Sequence, residues 1–310
     1  MTSDSELPRI LVTGGSGFIG SALVSSLVAQ GLPVTVVDLL PCPVDGVAAI
    51  TGDLSTPDVL EAALAERPSV IFHLAARTSV LQSVHDPQGV FHVNVATTQA
   101  LLEGARRIGA EAFVFASTNA VVGESGGRLI DEHSVLRPLT PYGATKAAAE
   151  MLCSAYSASY GIAACSVRLT NVYGPGMDRK DTFVVRLLRA AARGDAVTIY
   201  GDGLQQRDYL YVADAVAGFE MAWRKRVIGP VIIGSGRSTS VVELCDLGRE
   251  AVGGDIATTS VAAPVGEMRA VRVDLGHARS LGYSPQVRLQ EGLRLTWESL
   301  RPSPVIGRPA

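Results

Sequence analysis

Cysteine is scarce. Four residues, Cys42, Cys153, Cys165 and Cys245, are scattered through 310 positions. None forms a CxxC pair or a Cys/His cluster, so the pattern supports neither a disulfide scaffold nor a zinc site; it leaves ordinary thiols in a reducing cytoplasm. Charge of one sign is also lacking. With a net charge of −3 the chain has no broad basic surface, which excludes nucleic acid as an expected partner. No apolar run reaches the length needed to cross a bilayer, and the polar, acidic start from Met1 to Pro8 is not a secretory leader. Repeats and low-complexity tracts are missing as well. The expectation is a cytoplasmic protein that binds neither membrane nor nucleic acid.

What is present is apolar residues, 47% of the chain, enough for one sizeable core or for a main domain with a smaller partner. The N-terminal half alternates short apolar runs with helical patterns. The runs are Ile10 to Val12, Val34 to Val37, Val70 to Phe72 and Phe113 to Phe115. Short β-branched runs without alternation suit strands buried on both faces of a parallel sheet. Between them apolar residues recur at helical spacing, as at Ile19, Leu23 and Leu27. This is the signature of βαβ units, so the expected fold is α/β: a Rossmann-type doubly wound parallel sheet with a smaller C-terminal α/β substrate domain. We assign residues 1–170, with a return segment at about 205–230, to a dinucleotide-binding domain. Residues 171–204 and 231–301 form the smaller domain, with short strands at Val197 to Tyr200 and Val231 to Ile233. Residues 302–310 carry three prolines and read as a flexible tail.

Gly14, Gly17 and Gly20 follow the first strand directly and open a helix. Gly14 permits a tight turn, Gly17 lets backbone approach a pyrophosphate, and Gly20 lets helix pack on strand. The helix N-terminus then offers free N–H groups to phosphates. Asp38 ends the second strand 18 positions after Gly20. A carboxylate there accepts from ribose hydroxyls and repels a 2′-phosphate, which favours NAD over NADP. Asp53, in Gly52-Asp53-Leu54, suits either the adenine amino group or a helix N-cap, a role open to Ser55 too.

Tyr142 and Lys146 stand at i and i+4, on one face of a helix that Pro141 starts. An ammonium beside the phenol is expected to lower the Tyr142 pKa toward neutrality and make it a general base for a sugar hydroxyl. Alone, this spacing also describes a surface pair. Its company is Ser117-Thr118 at a strand end, with Thr118 placed 24 positions upstream of Tyr142. A hydroxyl there can share the substrate oxygen with Tyr142, or merely satisfy backbone.

With these residues the chain resembles the extended short-chain dehydrogenase/reductases, in the NAD-dependent epimerase/dehydratase group. The resemblance spans nearly the whole chain. It rests on Thr13 to Gly20 (TGGSGFIG), Gly52 to Leu54, His73 to Ala76 (HLAA), Asn94-Val95, Ser117-Thr118, Tyr142 with Lys146, Arg168 to Pro175 (RLTNVYGP), Tyr200 to Gly203 (YGDG) and Arg207 to Tyr209. It implies NAD as cofactor, held by Gly14, Gly17, Phe18, Ile19, Gly20, Asp38, Leu39, Asp53, Leu54, Leu74, Ala75, Ala76, Asn94, Ser117, Tyr142 and Lys146. It implies Tyr142 as the base, Lys146 as its partner and Thr118 as the helping hydroxyl. A UDP-sugar would meet Thr118, Asn119, Tyr142, Asn171, Arg179, Arg186, Thr198, Tyr200, Arg207 and Glu267, with Asn171 and Arg207 on the diphosphate. A homodimer is the expected assembly. Two positions depart from the pattern. Pro264 stands where an Arg is common, so that either a different cation, Arg269 or Arg186, faces the phosphates or none does, and Val122 replaces a Tyr.

Relatives that eliminate water carry Asp-Glu where this chain has Asn119-Ala120, and decarboxylating relatives keep a Glu at position 120. Both reactions therefore lose their usual acid/base residue here. Tyr142, Thr118 and Lys146 suffice for a 4-epimerase or a 4-ketoreductase, and the NAD-type Asp38 favours the epimerase. Our reading is a UDP-glucuronate/UDP-galacturonate 4-epimerase. Alternatives are a UDP-glucose/UDP-galactose 4-epimerase, a nucleotide-sugar 4-ketoreductase and a non-catalytic NAD(H) sensor.

Overall fold

A computed structural model describes residues 7–262 and 269–300; the expected tail lies outside them. The chain begins with β1 (Ile10–Thr13), α1 (Phe18–Ala29), β2 (Val34–Asp38), β3 (Ala48–Thr51), α2 (Pro57–Leu64) and β4 (Val70–His73). Next come α3 (Val80–His85), α4 (Pro87–Phe91), a π-helical turn (His92–Ala96), α5 (Thr97–Ile108) and β5 (Ala112–Thr118). A 3₁₀ turn (Asn119–Val121) then leads toward α6 (Pro141–Tyr160) and β6 (Ala163–Leu169). The second part contains β7 (Asn171–Tyr173), α7 (Phe183–Arg193), β8 (Val197–Tyr200), β9 (Gln206–Tyr211) and α8 (Val212–Arg224). It ends with β10 (Gly229–Ile233), β11 (Ser238–Ser240), α9 (Val241–Val252), β12 (Thr258–Val261), α10 (Gly276–Ser280) and α11 (Leu289–Leu300).

Seven strands form one parallel sheet in the order β10-β6-β5-β4-β1-β2-β3. The chain reverses its direction of travel between β1 and β4, so a crevice opens at their carboxyl ends. Alternate residues of one strand feed opposite cores. Ile10 and Val12 pack with α1 and α8, whereas Leu11, Ile71 and Phe113 pack with α2, α5 and α6. The doubly wound reading therefore holds. One boundary is corrected: β10 pairs with β6, Val231 opposite Val167, so residues 231–233 belong to the large sheet and not to the smaller domain. The apolar run Val231 to Ile233 is fully buried, as a strand covered on both faces must be.

The smaller layer has β11-β9-β7 and β12-β8 as two short sheets, with α7, α9 and α11 around a third core that includes Tyr173, Leu187, Leu244 and Trp297. β7 follows β6 after a single residue and pairs with β9, and Asn171 and Arg207 border one cavity with Thr118 and Leu169 at the ends of β5 and β6.

A buried histidine ties the parts of the crevice together. His73 Nε2 lies 2.9 Å from Thr98 Oγ1, and that hydroxyl donates its hydrogen to Asn94 O at 2.8 Å. Thr98 can then only accept from the ring, so Nε2 carries the hydrogen and Nδ1 accepts from Thr13 Oγ1 at 2.6 Å. Asn94 continues the chain, donating to Thr145 Oγ1 at 3.1 Å, which in turn donates to Tyr142 O at 2.8 Å. Burial, with Lys146 adding to it, pulls the His73 pKa down to about 3 from 6.5.

The neutral ring is the native form, so unfolding takes up a proton below pH 6.5. Stability from His73 is complete above 6.5 and is lost as pH falls toward 3, by up to about 1.4 kcal/mol per unit. Urea midpoints measured from pH 7 to pH 5 should fall faster in wild type than in His73→Gln; parallel curves would exclude this linkage.

Candidate active site

The turn after β1 builds the cofactor cleft. Gly14 has φ +72°, and a Cβ on it would lie 2.5 Å from Ala75 N; one on Gly20 would lie 2.0 Å from Gly14 O. Neither space admits a side chain. Gly17 is the N-cap of α1 and supplies no side-chain acceptor, so the first N–H groups of the helix stay open to an anion. The cleft has a volume of about 400 Å³. Every expected cofactor residue lines it except Asn94. Asn94 is only 1% exposed, and its amide is spent on Arg77 N (2.8 Å), Arg77 O (3.0 Å) and Thr145. It holds the wall of the cleft in place from behind and does not line it.

Asp38 accepts from Ser16 N through Oδ2 and from Leu40 N through Oδ1, both at 3.0 Å. Each oxygen keeps a lone pair for a ribose hydroxyl. Asp53 accepts from Ser55 N at 2.9 Å; the bonds from Ser55 hold its carboxyl below the usual range. The N-cap of α2 is Thr56, which leaves Asp53 to face the cleft.

α6 is started by Thr140, whose hydroxyl accepts from Gly143 N at 3.2 Å, and by Pro141 in its first turn. This aims Tyr142 and Lys146 at the end of β5. Lys146 is 2% exposed. Its Nζ donates to Ala116 O at 2.9 Å and sits 4.5 Å from the centre of the Phe115 ring. Burial pulls its pKa down to about 8, against Cys153 and Glu150. The Tyr142 phenol moves the other way from the sequence expectation. Burial pushes it up to about 12, opposed only by a hydrogen bond from Thr118. Desolvation sets the direction, and the Lys146 ammonium, engaged with Ala116 O, does not offset it.

A second cavity of about 450 Å³ joins the first beside Ser117 and Tyr142. Thr118, Asn171, Arg186, Tyr200 and Arg207 line it. Of the two cations expected to face the phosphates, Arg186 borders this cavity and Arg269 does not. Three expected substrate residues do not border the cavity: Asn119, Arg179 and Thr198. Asn119 is buried in the 3₁₀ turn, and its Oδ1 has no partner among the described residues. Arg179 is exposed and borders neither cavity, while its neighbour Lys180 borders both. Thr198 is on β8, where only Tyr200, at the strand end, reaches the cavity. Glu267 lies outside the described residues. The sequence reading missed Lys180, Thr78, Gln205 and Tyr209. Among the described residues no group of three or more His, Cys, Asp or Glu is placed to hold a metal.

A phosphate-binding turn, a ribose carboxylate and a Tyr/Lys pair on one helix face define an extended short-chain dehydrogenase/reductase. The chain belongs to the NAD dependent epimerase/dehydratase family, whose model matches residues 10–234, and NAD is the cofactor of the cleft. It is similar to a UDP-glucose 4-epimerase of Mycolicibacterium smegmatis, 36% identical, over 94% of this chain and 98% of that one. The Thermus thermophilus UDP-glucose 4-epimerase, solved with NAD, superposes with a TM-score of 0.89 at 36% identity, covering 94% and 98% of the two chains. MoeE5, solved with UDP-glucuronic acid and NAD, gives 0.87 at 38% identity over the same shares.

Tyr142→Phe should lower turnover by about 10²–10⁴-fold with an unchanged far-UV spectrum and melting temperature. A variant that turns over at the wild-type rate removes Tyr142 as the base.

Proposed function

We propose that UDP-glucuronate and UDP-galacturonate are the substrate pair of this NAD-dependent UDP-sugar 4-epimerase. The observation that carries the reading is Lys180. It makes no ion pair among the described residues and borders both cavities together with Tyr142 and Ser117. An ammonium there suits a carboxylate on the sugar by a charge-assisted bond. The complex of MoeE5 with UDP-glucuronic acid supports the same choice. A structure of MoeE5 with UDP-glucose keeps that sugar as the runner-up. Asn119 and Ala120 bring no carboxylate to the end of β5, so elimination and decarboxylation lack an acid/base group and the C6 substituent survives.

The chemistry is an oxidation reversed on the other face. Held in the cleft by the Gly14 turn and Asp38, NAD would supply a reversible hydride acceptor for C4 and would not be consumed. Tyr142 takes the O4 proton as the ketone forms and gives it back when the alcohol reforms. Thr118 donates a hydrogen bond to the Tyr142 oxygen and steadies it as phenolate, and Lys146, one turn along α6, adds its charge. Arg186 and Arg207 offer guanidinium forks to the diphosphate, with Asn171 beside them.

Chromatography of a UDP-sugar panel should show UDP-galacturonate formed from UDP-glucuronate without NADH accumulating. Release of UDP-xylose, a 4-keto-6-deoxy product, or turnover of UDP-glucose alone would contradict the proposal. Lys180→Met should raise KM for UDP-glucuronate about 10–100-fold, as loss of a charged hydrogen bond does, and leave UDP-glucose within about twofold.

We also propose a homodimer and a cytoplasmic location. Leu81, Val84, Phe91, Met151 and Tyr160 are exposed on α3, α4 and α6, an apolar face suited to a second copy. The four cysteines are free, as in a reducing compartment. No described helix is long and apolar enough to cross a membrane. Light scattering should give twice the chain mass, and Met151→Glu should shift it toward the monomer; a monomeric wild type ends this proposal.

A further inference from the structure

α6 meets the end of β5 through polar groups one turn apart, and the last of them, Glu150, has no part in the reaction described above. Tyr142, Lys146 and Glu150 recur at i, i+4 and i+8 on one face of the helix. Ser117 Oγ donates to Glu150 Oε1. Arg168 on β6 faces the same carboxylate, with Nη2 2.8 Å from Oε2 and Nε 3.1 and 3.2 Å from Oε1 and Oε2. The side chains of Arg168 and Glu150 are only 4% and 7% exposed. The sheet register sets Arg168 opposite Ser117, and Arg168 Nη1 also donates to Glu132 O at 3.2 Å.

A carboxylate forked by a guanidinium in a dry interior is ionised and can only accept. The hydrogen between Ser117 and Glu150 is therefore the serine's, and a hydroxyl has one hydrogen. Committed inward, Ser117 shows only lone pairs to the place where the two cavities meet. Thr118, its neighbour, is the reverse. Its oxygen accepts from Ala120 N at 3.2 Å, so its hydrogen is the part it can give outward, toward Tyr142. Two adjacent hydroxyls of like appearance thus have opposite polarity, and the difference is made by Glu150.

We propose that Glu150, held by Arg168, is a positioning residue that fixes Ser117 as a hydrogen-bond acceptor at the junction of the cavities, so that the site selects a ligand presenting an N–H or O–H there. Two bound groups carry such a donor: the carboxamide of NAD and a hydroxyl of the sugar. Only the second rests on the substrate reading above.

Calorimetric titration separates them. NAD and its 3-acetylpyridine analogue, which has a methyl group in place of the carboxamide nitrogen, are titrated into cofactor-stripped wild type, Ser117→Ala and Glu150→Gln. UDP-glucuronate and UDP-glucose are titrated into the NAD-loaded proteins. If the donor is the carboxamide, wild type prefers NAD about tenfold and both variants lose the preference; one hydrogen bond to a neutral acceptor has about this effect. Gln acts by turning its NH₂ toward Ser117, which frees the serine hydrogen outward. If the donor is on the sugar, both variants weaken both nucleotide sugars about tenfold and the cofactor ratio stays at its wild-type value. Ser117→Ala that binds all four ligands within about twofold of wild type overturns the proposal. Where Glu150→Gln fails to fold because Arg168 is stranded, Glu150→Gln/Arg168→Met takes its place; wild-type binding by that protein overturns the role of Glu150. A wild type that binds no UDP-sugar sinks the substrate reading, while the cofactor arm still decides this one.

Discussion

The constraint on which the site depends is the burial of Lys146. A cation taken out of water costs several kcal/mol unless other groups replace its hydration. Here the replacement is a carbonyl, an aromatic face and a carboxylate one turn away: Ala116 O, Phe115 and Glu150. Each belongs to β5 or to α6 itself. Satisfying the lysine therefore fixes the distance between the helix and the strand, and with it the distance from Tyr142 to Thr118. The same burial has a chemical consequence. Lys146 is drawn down to about 8 and Tyr142 is pushed up to about 12, so the protein's own field keeps the phenol protonated. The positive charge of oxidised NAD, once held in the adjoining cleft, would act against that burial, and base strength at Tyr142 would then be tied to the cofactor rather than built into the helix alone.

A second chain of contacts ties the catalytic helix to the dinucleotide turn. Thr13 immediately precedes Gly14, His73 immediately precedes Leu74, and Thr145 adjoins Lys146. Thr13, His73, Thr98, Asn94 and Thr145 are linked in series by hydrogen bonds. The π-helical turn at His92–Ala96 is where the series changes direction. Asn94 O serves Thr98 on one side, and the Asn94 amide serves Arg77 and Thr145 on the other. A π turn widens the helix by a residue and frees backbone from the regular ladder, and such turns recur at functional sites.

These features explain which parts of the site were legible in the sequence. Gly14, Gly20 and Asp38 have roles that follow from backbone geometry and chain order, and strand periodicity fixes where they lie. Tyr142 and Lys146 were legible because helical spacing puts them on one face whatever else surrounds them. Asn94 and Asn119 were misplaced because a motif gives position along the chain and not side-chain direction. Asn94 turns into the protein to hold Arg77, and Asn119 is folded under by the 3₁₀ turn. Arg179 and Lys180 show the limit most directly. They are adjacent cations in a loop, and no periodicity tells which one faces the cavity. The strand Val231 to Ile233 was recognised as a strand, but its neighbour is set by a register with β6 that only the assembled sheet discloses.

The direction of the Tyr142 shift was also read wrongly, and for the same kind of reason. Proximity of an ammonium is visible as i and i+4; the amount of water excluded is not. Polarity at small side chains follows this rule too. Ser117 and Thr118 carry the same functional group on adjacent residues, yet one has its hydrogen spent on Glu150 and the other has a lone pair spent on Ala120 N. What a hydroxyl offers a ligand is decided by whatever lies behind it. Those hidden partners sit at sequence distances of 33 and 2 residues from the groups that they direct.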